Sequence, residues 1–282
     1  MLNKVAIVGG GIGGLTAALA LLRHGIDVEV YEQAPELKEL GAGLQISANG
    51  TRVLYALGLG SAIECVGVVV AGKEIRLWNS GQTWKLFDLG AVSVERYGFP
   101  YMMFHRGDLH GALVEAIARE KSGTLHLDHK CTGVAQSADS VRIEFDNGEI
   151  AHAPIVIGAD GVQSKIRTIL FGADRPEFTG IVAWRGLVPR EKVPPGVKMD
   201  VGTNWIGPGA HVVHYPVRGG ALLNFVGLLE RDDWRVESWT VRGTIDEFAN
   251  DFRGWHADVQ AMIRCVDIPY KWALFARPPM PR

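Results

Sequence analysis

The chain has 282 residues, about two typical domains of ~150 residues, so it can bury at least one full hydrophobic core. Its 29 Lys and Arg residues against 31 Asp and Glu leave a net charge of −2, without the basic excess that nucleic-acid binding requires. The 35 glycines exceed the roughly 20 expected at a usual frequency of ~7%, which predicts many tight turns or close backbone approaches to a ligand.

The three cysteines, Cys65, Cys131 and Cys265, lie far apart and form no Cys-x-x-Cys pair. They favour reduced thiols in a cytoplasmic protein over disulfides or a zinc site. No apolar run approaches the ~20 residues of a membrane span, and the first residues lack the features of a signal peptide. We therefore expect a cytoplasmic protein with neither a membrane nor a nucleic acid among its partners.

The first thirty residues predict one βαβ unit. Residues 4–8 form a short apolar run typical of a buried strand, residues 12–24 have leucines at helical spacing, and residues 26–31 alternate like a second strand. A right-handed crossover would make these two strands a parallel pair.

Further along, the hydrophobic period switches repeatedly between that of strands and that of helices. Hairpins are predicted at 74–87 and 141–153, a helix at 106–120 and a buried strand at 154–159. Later strands are predicted at 181–188, 211–217 and 221–229, with short helices at 245–253 and 259–266. His126 and His129, three apart on a predicted strand, should face opposite ways, so we assign no metal.

The sequence G-G-G-I-G-G places Gly9, Gly11 and Gly14 in a Gly-x-Gly-x-x-Gly frame directly after the first strand, and Glu32 ends the second strand. Gly9 would make the tight turn, Gly11 would admit a pyrophosphate at the helix N-terminus, and Gly14 would allow close packing. Glu32 can accept hydrogen bonds from a ribose and disfavours a 2′-phosphate. The motif combines a strand, three spaced glycines, a helix, a second strand and a terminal acid. This combination predicts binding of FAD or NAD rather than NADP.

A second candidate segment, Ile155–Arg167, carries Asp160 and Gly161 at the carboxyl end of a buried strand, where ligands bind in open α/β sheets. Taken alone, an Asp-Gly turn that caps a helix explains this pattern equally well. With the first motif, however, it resembles the second fingerprint of the flavin-dependent aromatic hydroxylases, the single-component FAD monooxygenases. In that family the Asp-Gly pair serves both the flavin and the nicotinamide nucleotide.

Other segments extend the resemblance over essentially the whole chain. Residues 41–50, which include Gln45, and His105–Leu109, which includes Arg106, look like flavin-side segments of the family. Residues 182–189 and 211–220 are similar to substrate-domain strands of its salicylate and 3-hydroxybenzoate hydroxylase branch.

The resemblance implies an α/β fold in which a Rossmann-like, three-layer FAD-binding domain with a parallel sheet is interleaved with an antiparallel-sheet substrate domain. We expect the first domain to span 1–70 and 103–175, and the second 71–102 and 176–282.

The activity that the resemblance implies is hydroxylation of a small phenolic or aromatic carboxylic acid with O2 and either NADH or NADPH, through a C4a-hydroperoxyflavin. A homodimer is compatible with this resemblance.

Three residues are candidates for substrate chemistry. Histidine titrates closest to neutrality, and we choose His211 as the base, with Tyr215 as its hydrogen-bonding partner on the same face of a strand. From sequence alone, an ordinary sheet surface explains both residues better, and only the family resemblance makes the catalytic role an equal alternative. Arg185, placed mid-strand, could hold a substrate carboxylate, and a structural salt bridge explains it at least as well.

Two alternatives to the hydroxylase remain: another FAD-dependent oxidase or dehydrogenase, and a truncated, non-catalytic dinucleotide-binding module. Relatives in the resembled family continue past the P-P-M-P region at 278–281 into a Gly-Asp segment that contacts the flavin. We therefore expect a truncated chain that retains FAD weakly and couples hydroxylation poorly.

Overall fold

The computed structural model of the protein describes residues 4–37, 42–173, 176–236, 241–277 and 279. Gly41, Pro278 and Pro281 lie outside these ranges. None of the helices in the described part of the chain has the length and hydropathy of a membrane span. The strands are β1 (Lys4–Val8), β2 (Asp27–Tyr31), β3 (Gly43–Ile46), β4 (Val68–Val69), β5 (Gly72–Leu77), β6 (Thr83–Asp88), β7 (Met102–His105), β8 (Leu125–His126), β9 (Cys131–Gln136), β10 (Val141–Phe145), β11 (Ile150–Ala153), β12 (Ile155–Gly158), β13 (Glu177–Pro189), β14 (Val201–Gly207), β15 (Ala210–Val217), β16 (Leu222–Glu230) and β17 (Tyr270–Ala276). The helices are α1 (Ile12–Arg23), α2 (Ala48–Ala56), α3 (Gly60–Val66), α4 (Gly90–Tyr97), α5 (Arg106–Glu120), α6 (Lys165–Phe171), α7 (Ile245–Asp251) and α8 (Ala257–Arg264).

The described residues form two compact units that alternate along the chain. The first is drawn from Met1–Glu39, Leu54–Ile63 and Gly107–Asp174, and the second from Leu40–Val53, Glu64–Arg106 and Arg175–Arg282. The exact domain boundaries named above stay a prediction.

The first unit is built on a parallel sheet in the order β12-β1-β2-β8. Helix α1, whose Leu15 and Leu19 are buried, packs against β1 and β2. Val8 packs instead with Ile143 and Phe145 of an antiparallel sheet ordered β11-β10-β9. Helices, parallel sheet and second sheet are the layers of the predicted three-layer arrangement.

The second unit centres on a seven-stranded sheet in the order β17-β13-β16-β15-β14-β5-β6, in which only β14 and β5 pair in parallel. One face of this sheet packs against α7 and α8. The core on that face includes Trp184, Trp205, Phe225, Phe248 and Phe252. The parallel sheet of the first unit and the antiparallel sheet of the second confirm the predicted fold class.

The opposite face of the seven-stranded sheet carries Tyr215 and Val217, which pack with Met103 of β7. Strand β7 belongs to a small antiparallel sheet ordered β3-β7-β4. The side of the large sheet that bears Tyr215 is therefore partly covered by the strand pair that carries Gln45 and Met103 opposite each other.

The expectation that His126 and His129 face opposite ways is wrong. Strand β8 ends at His126, and Asp128 then adopts a positive φ of 59° that turns the chain. Both imidazole rings consequently pack on Tyr31, with ring centroids 5.0 and 5.4 Å from that of the phenol. Alternation applies only within a continuous strand, and the strand stops too early.

Candidate functional site

The turn after β1 requires glycine at Gly9 because of its backbone conformation and its surroundings. Gly9 has a φ of +111°, and a Cβ there would lie 2.5 Å from the carbonyl carbon of Ala159, just after β12. A Cβ on Gly14 would lie 3.2 Å from the carbonyl carbon of Gly9. The ends of β1 and β12 and the first turn of α1 thus meet at distances that exclude side chains.

Gly11, in contrast, borders open space. It is the N-cap of α1, it offers no side-chain cap, and a Cβ there would meet nothing within 4 Å. The first turn of this 12-residue helix contains no acidic residue. Its initial N–H groups therefore keep their hydrogen-bonding capacity at the positive end of the helix dipole. This arrangement fits the pyrophosphate of a dinucleotide.

Glu32 is tied to the glycine turn. Its Oε2 accepts a hydrogen bond of 2.7 Å from the Gly10 N–H, and its Oε1 accepts one of 2.9 Å from the Ala34 N–H. A carboxylate has about four acceptor positions, so capacity remains for the hydroxyl groups of a ribose. Glu32 therefore shapes the turn in addition to the ligand contact predicted for it.

His110 of α5 is a residue of this site to which no sequence feature points. Its Nε2 lies 2.7 Å from the carbonyl oxygen of Gly10 and donates to it, since a carbonyl only accepts. The two residues are 100 positions apart, and the tertiary fold of the first unit brings them together.

Asp160 caps α6. Its Oδ2 accepts hydrogen bonds from the N–H groups of Lys165 and Ile166 at 2.7 and 3.1 Å, and its Oδ1 accepts from the Ser164 hydroxyl. This is the capping role left open above. The role of Asp160 and Gly161 toward the flavin and the nicotinamide nucleotide stays a prediction.

In the second unit, the register of β13, β15 and β16 places the candidate substrate residues on one face of the sheet. On β16, every second residue pairs with one of them. Asn224 pairs with Tyr215 of β15, Val226 with Arg185 of β13, and Leu228 with His211 of β15. Directly paired residues point to the same face, so all share the face opposite α7 and α8. The half-buried apolar floor between the polar groups consists of Val213, Val226 and Leu228.

The predicted direct hydrogen bond between His211 and Tyr215 is corrected by the structure. The two residues share a face as expected, while His214 points to the other, but four residues of strand span about 13 Å. Side chains that stand upright on a sheet do not close that distance. The Tyr215 phenol instead hydrogen-bonds with the Gln45 side chain.

Tyr215 is buried and stays a neutral phenol. Burial raises its pKa above the ordinary value, and the hydrogen bond from Gln45 opposes this effect only in part. His211 is exposed on one side, and burial of the rest of its ring lowers its pKa below the ordinary value. At neutral pH the two groups are therefore a phenol that can donate and an imidazole that can accept a proton.

Asn224 holds β3 against this face. Its Oδ1 accepts a 2.7 Å hydrogen bond from the Gly43 N–H, and a Cβ on Gly43 would lie 2.7 Å from Cε2 of Tyr215. Among the described residues, its buried Nδ2 has no hydrogen-bond partner. An orphaned buried donor beside Tyr215 is typical of a position that meets a ligand.

Arg185 is buried rather than open to solvent. Its guanidinium lies 5.2 Å from the ring centroid of Tyr270 and 5.1 Å from that of Trp272. Burial lowers the pKa of the Arg185 guanidinium below its ordinary value. Tyr270 acts to raise this pKa, and the positive charge of Arg106 lowers it further. Arg106 begins α5 and donates its backbone N–H to Ala42. Contact of Arg106 with FAD and of Arg185 with a carboxylate stay predictions.

Comparison with known proteins places this chain among flavoproteins. The sequence profile described as FAD binding domain matches residues 3–263. The 3-amino-4-hydroxybenzoate 2-monooxygenase of Streptomyces platensis is 38% identical over 274 residues, which cover 97% of this chain and 68% of the relative. The 3-hydroxybenzoate 6-hydroxylase 1 of Aquipseudomonas alcaligenes is 33% identical over 286 residues, covering 100% of this chain and 71% of the relative.

A solved structure supports the same placement. The crystal structure of Klebsiella pneumoniae HpxO, complexed with FAD and uric acid, superposes with a TM-score of 0.84 at 28% identity. The match covers 98% of this chain and 69% of that protein.

Proposed function

Because the chain belongs to the FAD-binding family of flavoprotein aromatic monooxygenases, we propose that it hydroxylates a small phenolic acid with O2 and NADH or NADPH. The observation that carries the proposal is the sheet face on which His211 and Tyr215 flank an apolar floor of Val213, Val226 and Leu228. A flat aromatic ring suits such a floor, and the polar groups at its borders suit the oxygens of a phenolic acid.

The first unit would hold the ADP half of FAD. The glycine turn and the uncapped N-terminus of α1 would take the pyrophosphate, and Glu32 would accept from the adenosine ribose. Further proposed contacts of the cofactor are Gln45, Arg106, Asp160 and Gly161. Bound FAD supplies oxygen activation and electron transfer, for which none of the twenty side chains is equipped.

In the second unit, the protein's contribution is to orient the ring and to move its phenolic proton. Neutral His211 would accept that proton at an imidazole nitrogen, because an electron-rich phenolate is hydroxylated more readily than a phenol. Tyr215 would donate a hydrogen bond to a substrate oxygen. Arg185, buried on the same face in register with Val226, would attract the carboxylate at the side of the floor.

The two alternatives are less well supported. An FAD oxidase or dehydrogenase acting on another substrate class does not fit relatives at 38% and 33% identity that are aromatic monooxygenases. A non-catalytic dinucleotide-binding module would not need the polar groups that border the apolar floor of the large sheet. A cytoplasmic location and a homodimer stay predictions.

The test is stimulation of NADH and NADPH oxidation by a panel of aromatic acids, with identification of the product by mass spectrometry. The panel includes 3-amino-4-hydroxybenzoate and 3-hydroxybenzoate, with benzoate as the control that lacks the phenol. We expect a phenolic acid to accelerate NAD(P)H oxidation and to gain one oxygen atom. Oxidation that no phenolic acid accelerates, in protein shown to contain FAD, contradicts the proposal.

A further inference from the structure

Three polar side chains of the second unit form a hydrogen-bonded series that ends at Tyr215. The Nζ of Lys73 donates to the Tyr101 hydroxyl at 3.0 Å. That hydroxyl donates to Oε1 of Gln45 at 2.9 Å. The Gln45 side chain in turn hydrogen-bonds with Tyr215. The series therefore runs from β5, through the residue before β7, to β3 and β15.

The chemistry of each group fixes the direction of the series. An ammonium group has donors and no acceptor, so Tyr101 must accept from Lys73 and has its own proton left for Gln45. Gln45 uses its carbonyl oxygen for Tyr101, which leaves its NH2 group to face Tyr215. Tyr215 must then accept from Gln45, and its proton is free to be donated elsewhere.

The surrounding backbone keeps the series in place. Lys73 pairs with Gly202 of β14 and stands on the same face of the sheet as Tyr215. Gln45 sits on β3, whose first residue, Gly43, is anchored to Asn224 at 2.7 Å. Both ends of the series are thus held by neighbouring strands of one unit.

We propose that Lys73, acting through Tyr101 and Gln45, is a positioning residue that makes Tyr215 a hydrogen-bond donor to an oxygen of the aromatic ligand. This inference rests on the proposed function. It identifies the ligand class that Tyr215 selects: an aromatic compound that presents an acceptor oxygen, bound best as the phenolate. Without the series, Tyr215 would donate its proton to the Gln45 carbonyl and would present only lone pairs to the ligand.

The test uses 3-fluoro-4-hydroxybenzoate as a probe on protein saturated with FAD. The 19F chemical shift of this fluorophenol reports whether its hydroxyl is ionised, so a pH titration gives the pKa of the bound probe. We expect that pKa to lie below that of the free probe. Tyr215→Phe should lower the preference for bound phenolate over bound phenol about 10-fold, because it removes a hydrogen bond to a charged oxygen.

Variants of the series separate its direction from simple charge. Lys73→Met and Tyr101→Phe should each lower the phenolate preference about threefold or more and by equal factors, although Tyr101→Phe keeps the lysine charge. Lys73→Arg, which keeps a donor, should restore the parent value. Lys85→Met is the matched control, since Lys85 is an exposed lysine of the neighbouring strand β6 whose ammonium pairs with Asp88. Thermal unfolding of each variant checks that it is folded.

The outcomes are distinct. If the probe binds and Tyr101→Phe leaves its pKa at the parent value, the inference is overturned while the proposed function stands. A shift in Lys73→Met without one in Tyr101→Phe also overturns it, because the effect is then one of charge alone. If the parent protein binds the probe nowhere, the proposed substrate class fails and the inference fails with it.

Discussion

Gly9 and Ala159 approach so closely that a Cβ on the glycine would lie 2.5 Å from the carbonyl carbon of the alanine. The first strand-to-helix turn is thus packed on the end of β12, so the two sequence motifs of the first unit are parts of one structure. Gly9 is therefore required by the packing of this turn, whereas Gly11 of the same motif borders open space.

Three alanine substitutions should separate these roles. Gly9→Ala should unfold the first unit or strongly destabilise it, because Gly9 has both a φ of +111° and no space for a methyl group. Gly11→Ala should leave the fold intact and lower FAD affinity, since its methyl group would point into open space where the pyrophosphate is proposed to lie. Gly13→Ala, inside α1 with no atom within 4 Å, is the control and should gain about 0.5–1 kcal/mol of stability. Circular dichroism melting and flavin fluorescence titration measure the two effects, and equal FAD affinity in Gly11→Ala would contradict the pyrophosphate assignment.

A second prediction concerns Glu32. Glu32→Ala removes acceptors for Gly10 and Ala34 as well as for the ribose, so FAD affinity should fall by about 10-fold or more. Glu115→Ala on the exposed side of α5 is the control and should leave the affinity unchanged. Isothermal titration with FAD and with riboflavin distinguishes the contributions, because riboflavin lacks the adenosine ribose. A parallel loss of affinity for both ligands would place Glu32 away from the adenosine.

How far the sequence predicts this protein depends on the range of the interactions involved. The βαβ start and the roles of Gly9 and Gly14 are local, and the pattern of residues 4–32 indicates them directly. The sequence does not predict strand β14, because two glycines and an asparagine interrupt the β-branched and aromatic residues of V-G-T-N-W-I-G. It is stabilised by its neighbours β15 and β5, which its own residues do not reveal.

The sequence does not predict strand β17 either, for a related reason. Lys271 is buried there in an apolar pattern, and its ammonium lies 5.0 and 4.6 Å from the ring centroids of Trp184 and Trp234. Likewise, the contact of His110 with Gly10 and the series from Lys73 to Tyr215 join residues far apart in the chain. Such contacts follow from tertiary packing, which no local pattern encodes.

A third prediction follows from His214, which is fully buried against the helices of the second unit. Burial lowers its pKa to about 3, with a smaller effect of Arg76, and neither ring nitrogen has a hydrogen-bond partner in the described part of the chain. Because the pKa of His214 is lowered in the folded state, its imidazole binds a proton near pH 6.5 in the unfolded chain but not in the folded chain. Stability should therefore fall as the pH drops, by about 2–3 kcal/mol between pH 6 and pH 4 from this group.

His214→Leu should abolish that part of the pH dependence and be at least as stable as the parent at pH 7, because it removes two unpaired buried nitrogens. Urea unfolding followed by the fluorescence of Trp184 and Trp205 measures it at pH 7, 6, 5 and 4. His211→Leu, on the other face of β15, is the control and should retain the slope due to His214. An unchanged slope in His214→Leu would show that the imidazole is protonated in the folded state.

The last prediction assigns the base. His211→Gln keeps a polar side chain at the edge of the apolar floor but cannot accept a proton, so product formation in a single turnover should slow by about 10²–10⁴-fold. The rate of flavin reduction by whichever of NADH and NADPH proves to be the reductant should change little, because that step does not involve the phenolic proton. Since burial lowers the pKa of His211, the imidazole stays neutral below its ordinary pKa of 6.5, and the parent rate should persist as the pH falls through that value. The decline in rate at lower pH should be absent in His211→Gln.

The control is His152→Gln, which changes an exposed histidine of β11. Equal rates of product formation in His211→Gln and in the parent would show that His211 is not the base.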